Sequence, residues 1–235
     1  MFDGSNLLSL LRPKERLLLK SLISECHFAA GETIYEAGEV VRHAYFPCGS
    51  SLAVFLVLME NGEVVETAMV GREGALGGIV SHGRMPCYAR SCVMHEGSFY
   101  RIALTDLEQV KERSPEIRDL FSRYADCMMA QVFQSVACNA SHTIEQRAAK
   151  WLCAAMERTG ETEVAMTQEQ LAAMMGIGRS YASRVVQRFK GDGIVQTRRG
   201  GLKVLNPEGL KSRACYCNEL VKQHFAVVLK GVYPE

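Results

Sequence analysis

Residues 167–190 read TQEQLAAMMGIGRSYASRVVQRFK, a pattern typical of two helices joined by a tight turn. Thr167 and Gln170 have the three-residue spacing of a capping box, which satisfies the exposed amides at the start of a helix. The glycines within 176–178 can adopt the positive φ that a helix C-cap and a tight turn require. A second helix is therefore predicted over Arg179–Lys190.

The predicted second helix has an apolar stripe and a polar face. Ala182, Val185, Val186 and Phe189 recur at helical spacing, as packing on a small core requires. The polar face suits the major groove of DNA, where Arg pairs bidentately with guanine and Ser or Gln bonds other base edges. A solvated helical hairpin without a DNA partner fits the same pattern. The DNA-contacting residues predicted for the two helices are Thr167, Gln168, Arg179, Ser180, Ser183, Arg184 and Gln187.

A two-stranded wing with a basic tip is predicted after the second helix. Short β-type runs at 194–196 and 202–205 flank the sequence RRGG at 198–201. Residues 176–205 contain seven Lys or Arg against one acid, whereas the whole chain has a formal net charge of only +1. Such a local basic patch is the expected footprint of phosphate binding. Arg198 and Arg199 are therefore added to the predicted DNA-contacting residues.

Length and composition indicate a globular protein of one large or two ordinary domains. The chain has 235 residues, of which 48% are hydrophobic and 23% charged. We expect neither a signal peptide nor a membrane partner, because charges interrupt the N-terminal residues and no apolar run approaches roughly 20 residues. Nine scattered cysteines without zinc-finger spacing favour a reducing cytoplasm. We expect no metal site, and no role for the closest cysteine pair, Cys215 and Cys217.

An antiparallel β-roll is predicted between Phe28 and Leu104. Short β-type runs alternate with glycine turns about every 8–12 residues, which is the rhythm of a sandwich or jelly roll. Asn61-Gly62 between two apolar runs predicts a hairpin. The turn GREGALGG at 71–78 has glycines that can bring backbone amides near a ligand anion. A plain turn between strands fits those glycines equally well.

A long helix is predicted from about residue 116 to 138, after a Ser114-Pro115 start. Its apolar residues cover more than one face, so we expect one face on the roll and another on a second copy of the chain. A single core helix within a monomer fits the same pattern. The predicted domains are 1–104, one or two short helices and a sensor roll; 105–140, the long helix and hinge; and 141–235, a DNA-binding domain with a C-terminal helical extension at about 209–228.

This order of elements resembles the CRP/FNR family of bacterial transcription regulators. The most specific part of the resemblance is Thr167-Gln-Glu-Gln-Leu-Ala, Gly176, Arg179 and Ser183-Arg184-Val185, followed by the wing. The resemblance implies an α+β fold with an N-terminal cyclic-nucleotide-binding-type β-roll (jelly roll), a dimerisation helix and a C-terminal winged helix–turn–helix. It also implies a homodimer on an inverted-repeat DNA site, with RNA polymerase as a partner. Ser180 replaces the usual Glu, so a different DNA sequence is expected.

The predicted effector site departs from the cyclic-AMP-binding members of that family. Their Gly-Glu-Leu turn corresponds to Gly74-Ala75-Leu76, and their phosphate-binding Arg-Ser pair to Met85-Pro86. Cyclic AMP is therefore not the expected effector. An iron–sulfur cluster is not expected because the N-terminal region has only Cys26, and haem is not expected because its candidate ligands are isolated His and Cys residues. The candidate effector-binding residues are Gly74, Ala75, Leu76, Gly77, Arg84 and Arg90.

Two function hypotheses remain open after this comparison. The first is a cytoplasmic, homodimeric DNA-binding regulator whose roll senses a small molecule other than cyclic AMP. The second is an effector-independent DNA-binding regulator with a purely structural roll. An enzyme is not expected, because the sequence shows no nucleophile–base or metal-ligand spacing that supports catalysis.

Overall fold

The computed structural model describes residues 2–62, 64–83 and 85–233. Two short helices, α1 (Asn6–Ser9) and α2 (Pro13–Lys20), precede the roll, as the sequence predicts. Within the described residues, no helix combines the length and the apolarity that crossing a membrane requires. The strands of the roll are β1 (Ser24–Phe28), β2 (Thr33–Tyr35), β3 (His43–Pro47), β4 (Leu52–Leu58), β5 (Val64–Val70), β6 (Arg90–His95) and β7 (Gly97–Ala103).

The strands of the roll form two antiparallel sheets, which confirms the predicted fold class. One sheet has the order β1-β7-β3, and the other has the order β2-β6-β4-β5. The apolar strand β4 lies between β5 and β6, where Phe55 pairs with Ala68 on one side and Ser91 on the other. The hairpin predicted at Asn61-Gly62 joins β4 to β5, and Gly62 has a φ of 80°. The two sheets enclose Phe46, Phe99 and Leu76.

Helix α3 (Leu104–Arg113) leads into the long helix α4 (Pro115–Ser141). Ser114 caps α4 by accepting a hydrogen bond from the amide of Ile117, as the Ser-Pro pattern predicts. The helix continues to Ser141, three residues past its predicted end, because residues 139–141 contain no glycine or proline to stop it. The hinge to the next helix therefore lies at His142 and Thr143.

Helix α4 has one buried face and one exposed apolar face. Ile117, Phe121, Tyr124 and Cys127 pack into the core of the roll. Met128 is partly buried against that core, whereas Val132, one turn further along the helix, is exposed. The exposed apolar residues share the spacing i, i+3, i+4, i+7, and they are Met129, Val132, Phe133 and Val136.

The C-terminal half contains the predicted helices and wing. Its sheet has the order β8-β10-β9, in which β8 adds a strand that the sequence did not reveal. The elements are α5 (Ile144–Thr159), β8 (Glu163–Val164), α6 (Gln168–Met175), α7 (Arg179–Gly191), β9 (Val195–Arg198), β10 (Gly201–Val204), α8 (Pro207–Arg213) and α9 (Cys217–Val228).

The prediction of one final helix at 209–228 is wrong. The backbone is extended at Ala214, and α9 turns back to pack along α4. Val221 and Phe225 of α9 enter the core of the roll, and the Phe225 ring meets Tyr124 edge-on at a centroid distance of 6.4 Å. Burial of this apolar face outweighs the continuous helical period of the sequence. The last segment of the chain therefore packs with the N-terminal core.

A buried ion pair joins the roll to the C-terminal half. Arg158 Nε of α5 donates to Glu73 Oε1 at 2.9 Å, and both side chains are at most 3% exposed. Arg158 also donates to Gln131 Oε1 of α4, whose amide donates to the carbonyl of Met69 in β5. Burial alone would lower the pKa of Arg158, but the neighbouring Glu73 carboxylate raises it, so the guanidinium stays charged.

Replacing Arg158 with Met should strongly destabilise the protein. The substitution leaves the Glu73 carboxylate buried without its cation, which costs about 3–5 kcal/mol of unfolding free energy. Urea denaturation measures the loss. The matched control is Lys222→Ala, because Lys222 pairs with Glu157 where both side chains are partly exposed, and that loss should stay below about 1 kcal/mol. Equal losses in the two variants would contradict a central role for the buried pair.

Candidate functional site: nucleic-acid interface and roll cavity

The helix–turn–helix begins with the predicted capping box. Thr167 Oγ1 accepts from the amide of Gln170 at 3.1 Å, and Gln170 Oε1 accepts from the amide of Thr167 at 2.7 Å. Gly176 ends α6 in the left-handed region with a φ of 61°, which a side chain would disfavour. The backbone then runs directly into α7, whose first residue is Arg179. The tight connection fixes the direction in which α7 leaves the core.

Helix α7 divides into a buried stripe and an exposed polar face, as the sequence predicts. Ala182, Val185, Val186 and Phe189 are buried in the core of the DNA-binding half. On the opposite face, Arg179, Ser180, Arg184 and Gln187 are exposed, and Ser183 is half-buried. Thr167 is exposed and Gln168 half-buried at the start of α6. The helix thus presents polar side chains from a rigid, packed base.

The arginines of α7 differ in their partners. Arg188 pairs with Glu145 of α5 at 2.5 Å, and Glu145 also pairs with Arg213 at 2.9 Å. The guanidinium of Arg184 instead lies over the Tyr181 ring at 5.0 Å. Within the described part of the chain, neither Arg179 nor Arg184 forms an ion pair. Their donors are therefore available to an external acceptor, whereas Arg188 is held by an acid.

The wing presents two arginines at its turn. Gly201 of β10 pairs with Arg198 of β9, so Arg199 and Gly200 form the connecting turn. Gly200 has a φ of 79°, the conformation that favours glycine in such a turn. Both arginines are exposed, while Leu202 anchors the wing in the core beside Val164 of β8. The basic tip stands on a buried apolar base.

A cleft separates the start of α7 from the roll. It has a volume of about 720 Å³ and runs between the β4–β5–β6 face and the turn that joins α6 to α7. Val65 and Arg90 line it on the roll side, and Ile177 and Arg179 on the other. Arg179, one of the residues predicted to contact DNA, therefore borders the roll.

The glycine-rich turn at 71–78 packs closely against neighbouring elements. The amide of Gly74 donates to the carbonyl of Gly71, and the amide of Leu76 donates to that of Tyr45. The Ala75 carbonyl accepts a hydrogen bond from the Tyr124 hydroxyl, and a Cβ at Gly74 would collide with that same hydroxyl. Of the turn residues predicted to contact an effector, Gly74, Ala75 and Leu76 are engaged in this packing, and Gly77 lines the roll cavity.

The predicted effector cations lie elsewhere. Arg90 Nε donates to Glu36 Oε2 at 2.7 Å, on the half-exposed outer side of β6. Alternation along the strand then turns Ser91 inward, where its buried Oγ has no hydrogen-bond partner among the described residues. The alternation of β6 is the sequence signal that identifies Ser91 as a cavity residue, although Ser91 is not among the predicted effector-binding residues. Arg84 lies outside the described residues.

The roll encloses a cavity of about 300 Å³. Its wall is mostly apolar and aromatic, and none of the described lining residues is Arg or Lys. Burial raises the pKa of Tyr35, so its phenol stays neutral. The described part of the wall therefore offers a neutral surface with a few hydroxyls. The residues that define its wall best are Tyr35, Phe55, Gly77, Cys87, Tyr88 and Ser91.

Comparison with known proteins supports the DNA-binding assignment. Residues 146–213 match the family model described as a Crp-like helix-turn-helix domain. No curated relative matches the chain in sequence. The matched residues contain the capping box, α7 and the wing, so the match covers the candidate nucleic-acid interface.

Solved structures share the fold of almost the whole chain. A putative transcriptional regulator of the crp/fnr family from Eubacterium rectale matches with a TM-score of 0.66 at 14% identity, covering 91% of this chain and 97% of that one. FixK2 from Bradyrhizobium japonicum gives 0.68 at 15%, with coverages of 83% and 98%. The c-di-GMP responsive global regulator CLP from Xanthomonas campestris gives 0.66 at 12%, with coverages of 82% and 99%. The first of these is named as a transcriptional regulator and the third as a global regulator of gene expression.

Proposed function

We propose that this chain, a CRP/FNR-type DNA-binding transcription regulator, binds an inverted-repeat DNA site as a homodimer with α7 in the major groove. The observation that carries the proposal is the exposed polar face of α7, where Arg179 and Arg184 lack acidic partners within the described residues. An arginine in this setting suits bidentate hydrogen bonding to guanine. Arg198 and Arg199 of the wing supply contacts to phosphate. We propose that the protein is cytoplasmic and that its partners are DNA and RNA polymerase.

The exposed apolar face of α4 supports a homodimer. Met129, Val132, Phe133 and Val136 lie along one side of the helix and are 42–65% exposed. Helix α9 covers another side of α4 and leaves this stripe open. A second copy of the chain can cover the stripe with the same residues, as a two-fold axis requires. That axis would set two α7 helices on half-sites about one helical turn, roughly 34 Å, apart.

The roll cavity is the proposed effector site, and its chemistry favours a small, largely apolar molecule. The described wall offers no cation to a phosphate, but Ser91 and the aromatic residues can bond and enclose a neutral ligand. A change in the roll can reach α7 across the cleft beside Arg179 and through the Glu73–Arg158 pair. The alternative is an effector-independent regulator, in which the cavity has no ligand.

Replacing Arg184 with Ala should weaken binding to the cognate site and flatten discrimination between sequences. Losing a base-reading arginine costs about 1–3 kcal/mol at the cognate site. Selection of a site from random DNA, followed by fluorescence anisotropy on the selected and scrambled duplexes, measures both effects.

Two arginines provide the controls for this prediction. Arg188→Ala is the matched variant on the same helix and should change specificity little, because Glu145 holds Arg188. Arg199→Ala should weaken all sequences alike and reduce the salt slope by about one, as expected for a phosphate contact. Equal losses on cognate and scrambled DNA for Arg184→Ala would refute its assignment to the groove.

Charge on the exposed stripe should dissociate the dimer. Phe133→Asp and Val132→Asp would bury an unpaired carboxylate in the interface, which apolar burial cannot offset. Light scattering should give about twice 26.0 kDa for the wild type and about 26.0 kDa for these variants, with DNA binding lost. Val227→Asp is the control, because Val227 is 82% exposed on α9 and outside the stripe. A wild-type mass near 26.0 kDa with intact DNA binding would exclude the dimer.

Cyclic AMP should not bind the roll with micromolar affinity. Enclosing its phosphate without a cationic partner costs about 2–5 kcal/mol, which weakens a micromolar site by at least tens of fold. Titration calorimetry with cyclic AMP and with adenosine, which lacks the phosphate, isolates this cost. A dissociation constant at or below a few micromolar for cyclic AMP, and tighter than that of adenosine, would overturn the assignment of an uncharged cavity.

A further inference from the structure

Three cysteines and one histidine meet at the hinge between the long helix and the DNA-binding half. Cys138 and His142 are four residues apart at the end of α4, while Cys215 and Cys217 lie where α8 gives way to α9. Their ligand atoms all lie within 4.8 Å of one another. The three cysteines are buried and His142 is half-buried. The cluster draws on two segments more than seventy residues apart in sequence.

We propose that Cys138, His142, Cys215 and Cys217 bind a single Zn²⁺ ion. Four ligands of the Cys₃His type form one of the tetrahedral structural zinc sites found in proteins. Zinc–sulfur bonds of about 2.3 Å and zinc–nitrogen bonds of about 2.0–2.1 Å place tetrahedral ligand atoms about 3.5–3.8 Å apart. Here Cys138 Sγ lies 3.6 Å from Cys215 Sγ, and Cys217 Sγ lies 3.5 Å from His142 Nδ1.

The surroundings of the cluster suit a zinc–thiolate site. Gln134 Nε2 donates to Cys217 Sγ at 3.2 Å, as partners outside the ligand set do when they orient a thiolate. Lys150 is buried and acts electrostatically on all three thiols. Three thiolates with Zn²⁺ leave one net negative charge, which the ammonium of Lys150 offsets. A cavity of about 400 Å³ lined by Lys150 and Cys215 provides access for the ion.

Two simpler roles explain less of this arrangement. Buried cysteines often serve as small apolar side chains, but that role gives no reason for His142 and the Gln134 amide to face the same sulfurs. A Cys138–Cys215 disulfide would need the sulfurs about 2.0 Å apart, and it would leave Cys217 and His142 unused. One tetrahedral ion uses all four side chains.

The position of the site gives the ion a mechanical role. It ties the end of α4 to the start of α9, next to the hinge at His142 and Thr143. Helix α9 in turn packs along α4 through Val221 and Phe225. Bound zinc therefore holds the hinge and the C-terminal segment together. This proposal departs from the sequence-based expectation of no metal site, because the two ligand pairs are far apart in sequence.

Metal analysis of the full-length protein tests the site without relying on DNA binding. Protein purified under reducing conditions and dialysed should retain about one Zn²⁺ per chain by elemental analysis. Cobalt substitution should give the visible bands of a tetrahedral thiolate site. Cys215→Ser and His142→Ala should weaken zinc binding at least tenfold, and Gln134→Ala by about 10–100-fold, the usual effect of losing such a supporting contact. Cys153→Ser is the control, since Cys153 lines the same cavity outside the cluster.

Each outcome bears on the proposal. Zinc retained in the wild type and in Cys153→Ser, but lost in His142→Ala, supports it, and so does a lower thermal midpoint after chelation. Because His142 is half-buried, His142→Ala tests the site even if Cys215→Ser fails to fold. Iron with acid-labile sulfide in place of zinc would overturn the assignment of a single zinc ion. Metal-free protein with a Cys138–Cys215 disulfide, or with unchanged stability on adding zinc, would overturn the site itself.

Discussion

The buried pair between Arg158 and Glu73 constrains every larger part of this molecule. A guanidinium with almost no exposure is stable only beside its carboxylate, and separating them would leave two charges without water. Arg158 belongs to the DNA-binding half, Glu73 to the glycine turn of the roll, and the bridging Gln131 to α4. The glycines at 71 and 74 let these elements approach closely enough to meet. Any movement of the DNA-binding half must therefore either preserve this ion pair or give both charges new partners.

The C-terminal segment adds a second constraint on the same helix. Helix α9 follows the DNA-binding half in the chain and buries Phe225 against Tyr124 of α4. The roll therefore covers one side of α4, and α9 covers another. The apolar stripe around Phe133 is what remains exposed. One helix thus carries the proposed dimer contact, the polar network and, at its end, the proposed zinc ligands Cys138 and His142. A change at any of these places acts on the helix that would set the spacing of two α7 helices in the proposed dimer.

The roll and the C-terminal half share both a buried apolar core, which Leu52, Val54 and Met69 of the roll enter, and the cleft beside α7. Arg90 and Arg179 border that cleft, whereas the cavity inside the roll lies on the other side of β6 beside Ser91. Strand alternation therefore gives β6 one face toward the roll cavity and one toward the cleft beside α7. A ligand that shifts β6 would alter both faces together.

The sequence by itself determined the elements whose signals are local. The capping box at Thr167, the buried stripe of α7, the wing and the rhythm of the roll strands follow from short-range spacing, because caps, turns and amphipathic periods act within a few residues. Only the tertiary structure decided the return of α9 onto α4, the engagement of Gly74 by Tyr124, and the meeting of Cys138 with Cys215. These three features depend on contacts between segments that are far apart in sequence. Such contacts are set by burial of the whole chain, and no short-range sequence pattern predicts them.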